Sequence, residues 1–113
     1  MSYDPKKQGS VTMFTDKDCM YKSGRFDAGD TDTIVQKYSL SDFYRNDLKN
    51  DSPSSVMVPE GYTLRLWQSS SFGDKTVDIE GEYTDDRQAL KCHNLHDDHF
   101  DNMASSIEVI RTK

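Results

Sequence analysis

The sequence contains one six-residue pattern twice, NDSPSS at residues 50–55 and DNMASS at residues 101–106. Both copies have the form (Asn/Asp)-(Asn/Asp)-x-x-Ser-Ser, and they lie about fifty residues apart. A second pair of similar segments, VTMF at residues 11–14 and LRLW at residues 64–67, repeats at nearly the same spacing. This internal repeat indicates two similar structural units of about fifty residues each.

The spacing of apolar residues within each unit is that of β-strands. Residues 62–67 (YTLRLW) alternate apolar and polar side chains, and short β-branched runs occupy residues 56–58 and 107–110. Clusters of Gly, Asp, Asn and Ser separate these runs, as in loops between short strands. Helices are limited to one or two turns, with candidates at residues 39–48 and 85–90. The pattern predicts an all-β sandwich or barrel.

Two repeated units with about four short strands each indicate two similar Greek key motifs packed together as a β-sandwich. We predict a polar N-terminal extension at residues 1–9 and a single domain over residues 10–113. The first Greek key covers about residues 10–59 and the second about residues 60–112. The connection PEG at residues 59–61 is too short for a flexible linker, so the two halves are expected to share one core.

The charge balance excludes several classes of function. The chain has 113 residues with 14 Lys or Arg and 20 Asp or Glu, a formal net charge of -6. Nucleic-acid affinity depends on clustered basic charge, so this balance argues against a nucleic-acid partner and leaves a cation as a candidate. No apolar stretch approaches the roughly 20 residues that span a bilayer, so no membrane insertion is expected. The polar N-terminus lacks a signal peptide's apolar run, which predicts a cytoplasmic protein with leaderless export left open.

The two cysteines, Cys19 and Cys92, are too few for a disulfide framework, and their number favours two reduced thiols over a single bridge. Cys92 begins a segment, CHNLHDDH at residues 92–99, that contains all three histidines. Thiol, imidazole and carboxylate groups at short range are ligands for zinc or nickel. The candidate ligands are Cys92, His93, His96 and His99. Their spacing matches no common zinc signature and the first unit has no counterpart, so we favour a polar connection.

The repeated pattern also carries a family resemblance. The early part of each unit is similar to the aromatic-x-x-x-x-aromatic-x-Gly corner of the βγ-crystallins. The matching positions are Trp67, Phe72 and Gly73 in the second unit and Phe14, Cys19 and Tyr21 in the first. The glycine comes one place early in the second unit, and the corner has degenerated in the first. Over about residues 10–111 the chain resembles a single-domain, spherulin-like βγ-crystallin of the calcium-binding microbial type.

The resemblance implies two Ca²⁺ ions, each bound by a hydroxyl from one half and carbonyls from the other. Calcium takes six to eight oxygen ligands, which short polar loops can supply. The first implied site comprises Ser105, the Asp51 carbonyl, Ser52 and a carbonyl near Thr15. The second comprises Ser54, the Asn102 carbonyl, a contribution at Met103 and a carbonyl near Gln68. Asn50 and Asp101 would brace the two loops. Because Met103 offers only its carbonyl, the second site is expected to be weaker.

The resemblance therefore implies a soluble structural protein, associated with stress or development, whose fold calcium stabilises. Two alternatives stay open: a calcium-dependent interaction module for adhesion or inhibition, and a structural relative that has lost calcium binding. The sequence lacks a nucleophile elbow, a phosphate-binding glycine loop and a His-Glu-x-x-His motif, so no enzymatic activity is expected. It identifies no macromolecular partner, and we expect a monomer or a weak homodimer.

Overall fold

A computed structural model describes residues 10–29, 34–45, 48, 53–84, 89–101 and 103–112. Within these residues the strands are β1 Ser10–Asp16, β2 Met20–Asp27, β3 Val35–Tyr38, β4 Ser55–Met57, β5 Tyr62–Trp67, β6 Thr76–Glu80, β7 Cys92–Asn94 and β8 Ser106–Arg111. The helical elements are α1 Leu40–Arg45 and two 3-10 helices, Lys17–Cys19 and Leu95–Asp98. The segments with strand periodicity in the sequence all lie on strands or at their ends. None of the helices in the described part of the chain has the length and hydropathy needed to cross a bilayer.

The strands form two antiparallel four-stranded sheets. The first has the order β2-β1-β4-β7 and the second the order β3-β8-β5-β6. The third strand of each unit leaves its own sheet, because β3 pairs with β8 and β7 pairs with β4. This exchange interlocks the two units and confirms the predicted all-β sandwich of two Greek keys.

The core lies between the two sheets and follows from the period-two alternation of the strands. On β5, Tyr62, Leu64 and Leu66 are buried, whereas Arg65 points outward and pairs with Asp78 of β6, with 2.7 Å between Nε and Oδ1. Each buried Leu contributes about 1.5–3 kcal/mol relative to an exposed one. The alternation in the sequence therefore determines which face of the strand is covered.

The connection between the third and fourth strands closes the core in the same way in each unit. In the first unit α1 is followed by a backbone hydrogen bond of 2.9 Å from Leu48 N to Phe43 O. In the second unit the 3-10 helix after β7 has the equivalent bond, also 2.9 Å, from Phe100 N to Leu95 O. All four side chains are buried. The short helix predicted at residues 39–48 is confirmed, whereas the one predicted at residues 85–90 lies mostly outside the described residues.

The structure overturns one prediction about the fold. Cys19 and Cys92 form a disulfide with a Cα–Cα distance of 5.9 Å across a sequence separation of 73. The expectation of two reduced thiols was wrong because β7 crosses into the first sheet. That crossing brings Cys92 beside the turn that follows β1. Local sequence could not reveal this proximity, since it depends on the strand exchange between the two units.

Candidate functional site

The two Ser-Ser pairs occupy equivalent positions at the start of the fourth strand of each unit. Ser54 N donates to Phe14 O at 2.8 Å, and Ser105 N donates to Trp67 O at 2.9 Å. Both serines are buried, with relative exposures of 8% and 5%. The first serine of each pair is therefore held beside the end of the first strand of its own unit.

The second serine of each pair closes the turn that follows that first strand. Ser55 Oγ donates to Asp16 O and Ser106 Oγ donates to Ser69 O, each at 2.5 Å. Ser55 Oγ also accepts from Cys19 N at 2.8 Å. Both hydroxyls are buried and used within the fold. The second serines are thus structural, and the candidate ligands that the sequence proposes are the first serines, Ser54 and Ser105.

A cleft of about 510 Å³ opens where the two units meet. Its walls come from Thr15, Asp16, Lys17 and Ser54 of the first unit and from Asn94, His96, Asp97 and Asp101 of the second. We call it the first cleft. The 3-10 helix that follows β7 forms part of it, anchored by buried Leu95, whose N–H donates to Ser54 O at 2.9 Å. Three carboxylates line it against one lysine, so the first cleft favours a cation.

One buried side-chain oxygen near the first cleft has no hydrogen-bond partner among the residues that the structure describes. It is Oγ1 of Thr15, a residue that lines the first cleft. A buried hydroxyl without a partner costs about 1–3 kcal/mol, so such an atom calls for an explanation. A cation bound in the first cleft would use its lone pairs. The donors around it are predominantly oxygens, the ligand type that Ca²⁺ prefers.

The structure brings together some of the predicted site residues in a different grouping. Thr15, Ser54 and Asp101 line the first cleft, so one residue from each of the two repeated Ser-Ser patterns borders the same space. Gln68 follows Trp67, whose carbonyl holds Ser105. Thr15 thus follows the residue that holds Ser54, and Gln68 follows the residue that holds Ser105. The predicted sites combine Thr15 with Ser105 and Gln68 with Ser54, and which residues share an ion stays a prediction.

The positions of the two serine pairs follow from the strand pairing. Because β4 pairs with β1 and β8 pairs with β5, each serine pair meets the first strand of its own unit.

Met103 is partly buried against the core, and its N–H donates to Phe100 O at 3.3 Å. The other predicted site residues lie outside the described residues: Asn50, Asp51, Ser52 and Asn102.

β7 and the 3-10 helix after it bring to the first cleft three residues that the sequence did not assign to calcium. Asn94, His96 and Asp97 belong to the 92–99 segment, for which the sequence offered a transition-metal site, with His96 as one ligand, and favoured a polar connection. Cys92 is in the disulfide, so its thiolate is not a ligand. Among the described residues no group of three His, Cys, Asp or Glu side chains is arranged to hold a metal ion. The feature of the sequence that could have indicated a cation site there is the acidic character of the 92–99 segment.

The first strand of each unit ends in a sharp turn, which we call the first corner (residues 14–21) and the second corner (residues 67–74). Tyr21 and Asp74 occupy equivalent positions with φ of 74° and 64°, in the left-handed region that favours glycine. Gly73, the glycine that comes one place early, is not in that region. Both corners therefore have a left-handed residue at this position that is not glycine.

Solved structures resemble this chain, although no protein-family model matches it and no curated protein matches it in sequence. The N-terminal domain of protein S is 23% identical, with a TM-score of 0.69 over 91% of this chain and 97% of that one. A βγ-crystallin domain from Flavobacterium johnsoniae is 24% identical, with a TM-score of 0.67 over 89% and 93%. One from Clostridium beijerinckii is 18% identical, with a TM-score of 0.68 over 89% and 97%. This chain therefore has the βγ-crystallin fold.

Proposed function

We propose that this protein binds calcium between its two Greek keys. The observation that carries the proposal is the first cleft, where Thr15, with its unpartnered buried hydroxyl, meets Ser54 of its own unit and Asp101 of the other. An ion bound there would contact both units. Calcium binding would then join the two halves and stabilise the sandwich.

The chemistry of the first cleft favours Ca²⁺ over Mg²⁺. Thr15 and Ser54 offer neutral oxygens, and Asp16, Asp97 and Asp101 add carboxylates along the same walls. Calcium accepts six to eight such ligands in irregular geometry, whereas magnesium requires a near-ideal octahedron and releases its water reluctantly. Lys17 also lines the cleft and opposes cation binding, so the carboxylates are needed to offset its charge.

A second site is proposed at the equivalent place in the other half. Ser105 is held beside Gln68 in the same way as Ser54 is held beside Thr15. The family resemblance adds Asp51 and Ser52 from the opposite loop. Because the two sites have different ligands, we expect two binding steps of unequal affinity.

The proposed role is structural, in a setting of stress or development, and its mechanism is thermodynamic. A ligand that binds only the folded state stabilises it by RT ln(1 + [L]/Kd), which is about 2.7 kcal/mol at a hundredfold excess. For a small, highly charged domain this is a large fraction of the total stability. Calcium would thus control which fraction of the protein is folded.

Calorimetric titration of the metal-free protein with CaCl₂ tests the proposal, with MgCl₂ as the matched control. We expect two calcium steps and a clear rise in melting temperature, with a much smaller rise from magnesium. Equal stabilisation by both ions would show that the effect is screening of the net charge of -6. An absence of calcium heat and of any calcium shift in melting temperature would refute the function.

Two serine variants test the assignment of sites. Ser54→Ala removes a hydroxyl from the first cleft, and Ser105→Ala removes its counterpart in the other half. Each variant should lose or strongly weaken a different calcium step. Ser41→Ala, on the exposed face of α1, is the control and should retain both steps. If Ser54→Ala and Ser105→Ala both bind two ions as tightly as the parent, the first serines are not ligands.

A further inference from the structure

We propose that the Cys19–Cys92 disulfide positions the wall of the first cleft and makes the calcium affinity of that cleft depend on redox state. The proposal rests on the calcium function above and adds its regulation. The disulfide links the first corner to β7, which belong to different units. It therefore joins the two sides of the first cleft by a covalent bond.

Both half-cystines lie next to residues of the first cleft along the chain. Asp16 and Lys17 precede Cys19, and Asn94 lies two residues after Cys92. The disulfide holds these two stretches at a Cα–Cα distance of 5.9 Å. Opening the bond removes the covalent restraint on the distance between the two walls.

A pair of hydrogen bonds reinforces the same connection. Asp18 N donates to Asn94 Oδ1 at 2.7 Å, and Asn94 Nδ2 donates to Asp18 Oδ1 at 3.0 Å. We call these four residues, Asp18, Cys19, Cys92 and Asn94, the corner clasp. The hydrogen bonds are at the surface, where water competes for both partners, so they hold the clasp weakly without the disulfide.

The corner clasp reaches the ligand side of the first cleft through Ser55. Its hydroxyl accepts from Cys19 N at 2.8 Å and donates to Asp16 O at 2.5 Å. Ser55 follows Ser54, the proposed ligand, directly in the chain. A shift of Cys19 would therefore disturb Asp16 and the start of β4 together.

The backbone of the corner clasp includes an unfavourable conformation that other contacts must stabilise. Asp18 and Cys19 have φ of 61° and 56°, in the left-handed region. Residues with a Cβ are unfavourable there and stay only where surrounding contacts keep them in place. Reduction removes the strongest of these contacts, so the first corner is expected to relax toward other conformations.

The second corner provides an internal control. Phe72 stands at the position equivalent to Cys19, with φ of 58°, and no cysteine is near it in the sequence. The site formed by Gln68 and Ser105 has no disulfide in its corner. Redox chemistry should therefore change one calcium step and leave the other alone.

The chemical step is an ordinary thiol–disulfide exchange. One thiolate of a dithiol reductant attacks a sulfur of the half-buried disulfide and forms a mixed disulfide, and the second closes the reductant's own ring. The protein S–S bond breaks, two electrons pass from the dithiol to the protein, and two protons complete the thiols of Cys19 and Cys92. Reducing compartments favour this state and oxidising ones the disulfide.

Calorimetric titration with CaCl₂ of the oxidised protein, the dithiothreitol-reduced protein and the Cys19→Ser, Cys92→Ser double variant tests the proposal. We expect the affinity of the calcium step that Ser54→Ala removes to fall at least tenfold in both forms that lack the disulfide. The affinity of the other step should stay within twofold. Identical steps in all three forms would overturn the redox coupling and leave calcium binding intact. No calcium heat in the oxidised protein would overturn both proposals.

A metal-free measurement separates the two outcomes further. Amide hydrogen exchange should become at least tenfold faster on reduction at residues 15–20 and 54–56 and should be unchanged at residues 68–73. Equal acceleration at residues 15–20 and at residues 68–73 would contradict a local role. If the double serine variant does not fold, a Cys19→Ala, Cys92→Ala variant replaces it beside the reduced wild-type protein. A first-cleft calcium step unchanged in both would overturn the role of the disulfide.

Discussion

The first and second corners share two left-handed positions and carry different side chains there. Cys19 and Phe72 have nearly equal φ values of 56° and 58°, and each corner is closed by a serine hydroxyl of the following Ser-Ser pair. The first corner is tied covalently to the other unit. The second has no covalent tie; there, Lys37 Nζ lies 5.3 Å from the centroid of the Phe72 ring.

This difference shows which features the fold requires. The buried serine and its bond to the corner carbonyl are common to both units, so they belong to the architecture. The disulfide and the aromatic ring, by contrast, each occur in one corner only. The asymmetry also gives the two candidate calcium sites different neighbours, which is why they can be tested separately.

The largest expected effect comes from opening the disulfide. In the chain-entropy model, a crosslink between residues separated by 73 positions stabilises the fold by about 4 kcal/mol. Urea unfolding with and without dithiothreitol should show a loss of this order. The Cys19→Ser, Cys92→Ser variant is the control, because the reductant should not change its stability. A loss below about 1 kcal/mol would contradict a strong constraint at the first corner.

The next largest loss of stability is expected from replacing the glycine that follows the second strand in each unit. A Cβ on Gly81 would lie 1.7 Å from Pro59 O, so Gly81→Ala forces the backbone apart and should cost about 3 kcal/mol or more. Gly29 has a φ of 81°, and the left-handed penalty predicts that Gly29→Ala costs about 1 kcal/mol. Urea unfolding of both variants measures the difference. Equal costs would mean that the close approach at Pro59 relaxes easily.

The buried serines should differ by a smaller amount. Ser55→Ala leaves both Cys19 N and Asp16 O without their partner, so about 2 kcal/mol should be lost. Ser106→Ala removes the bond to Ser69 O and should cost about 1 kcal/mol. Thermal and urea unfolding at neutral pH would check the order. A reversed order would show that the second corner depends more on its serine than the first.

The smallest effect is a gain in stability at the left-handed positions. Tyr21→Gly removes a penalty of about 1–2 kcal/mol and adds about 0.5–1 kcal/mol of backbone entropy cost, so a net gain of about 0.5–1 kcal/mol is expected. Asp74→Gly should gain only a few tenths, because Asp tolerates this conformation better than Tyr. Melting temperatures of the two variants decide the comparison. A destabilised Tyr21→Gly would mean that the exposed ring makes contacts that matter.

Much of the architecture could be predicted from local sequence. The alternation at residues 62–67 indicated a half-buried strand, and the repeated Ser-Ser pairs marked where the fourth strand of each unit begins. These predictions succeeded because the period of apolar residues directly reflects which side of a strand is buried. Three residues of the predicted sites, Thr15, Ser54 and Asp101, line one cleft, whereas the sequence places Thr15 in the site of Ser105. The assignment of ligands to the two ions stays a prediction.

The sequence by itself determined the class of fold, the two-unit repeat and the polar loops at which a cation could bind, because each is written in short-range spacing. The tertiary structure alone decided the exchange of β3 and β7 between the sheets. That exchange set Cys92 against Cys19 and brought Asn94 and Asp97 to the first cleft. Such contacts join segments far apart in the chain, and local periodicity does not specify which strand will lie beside which.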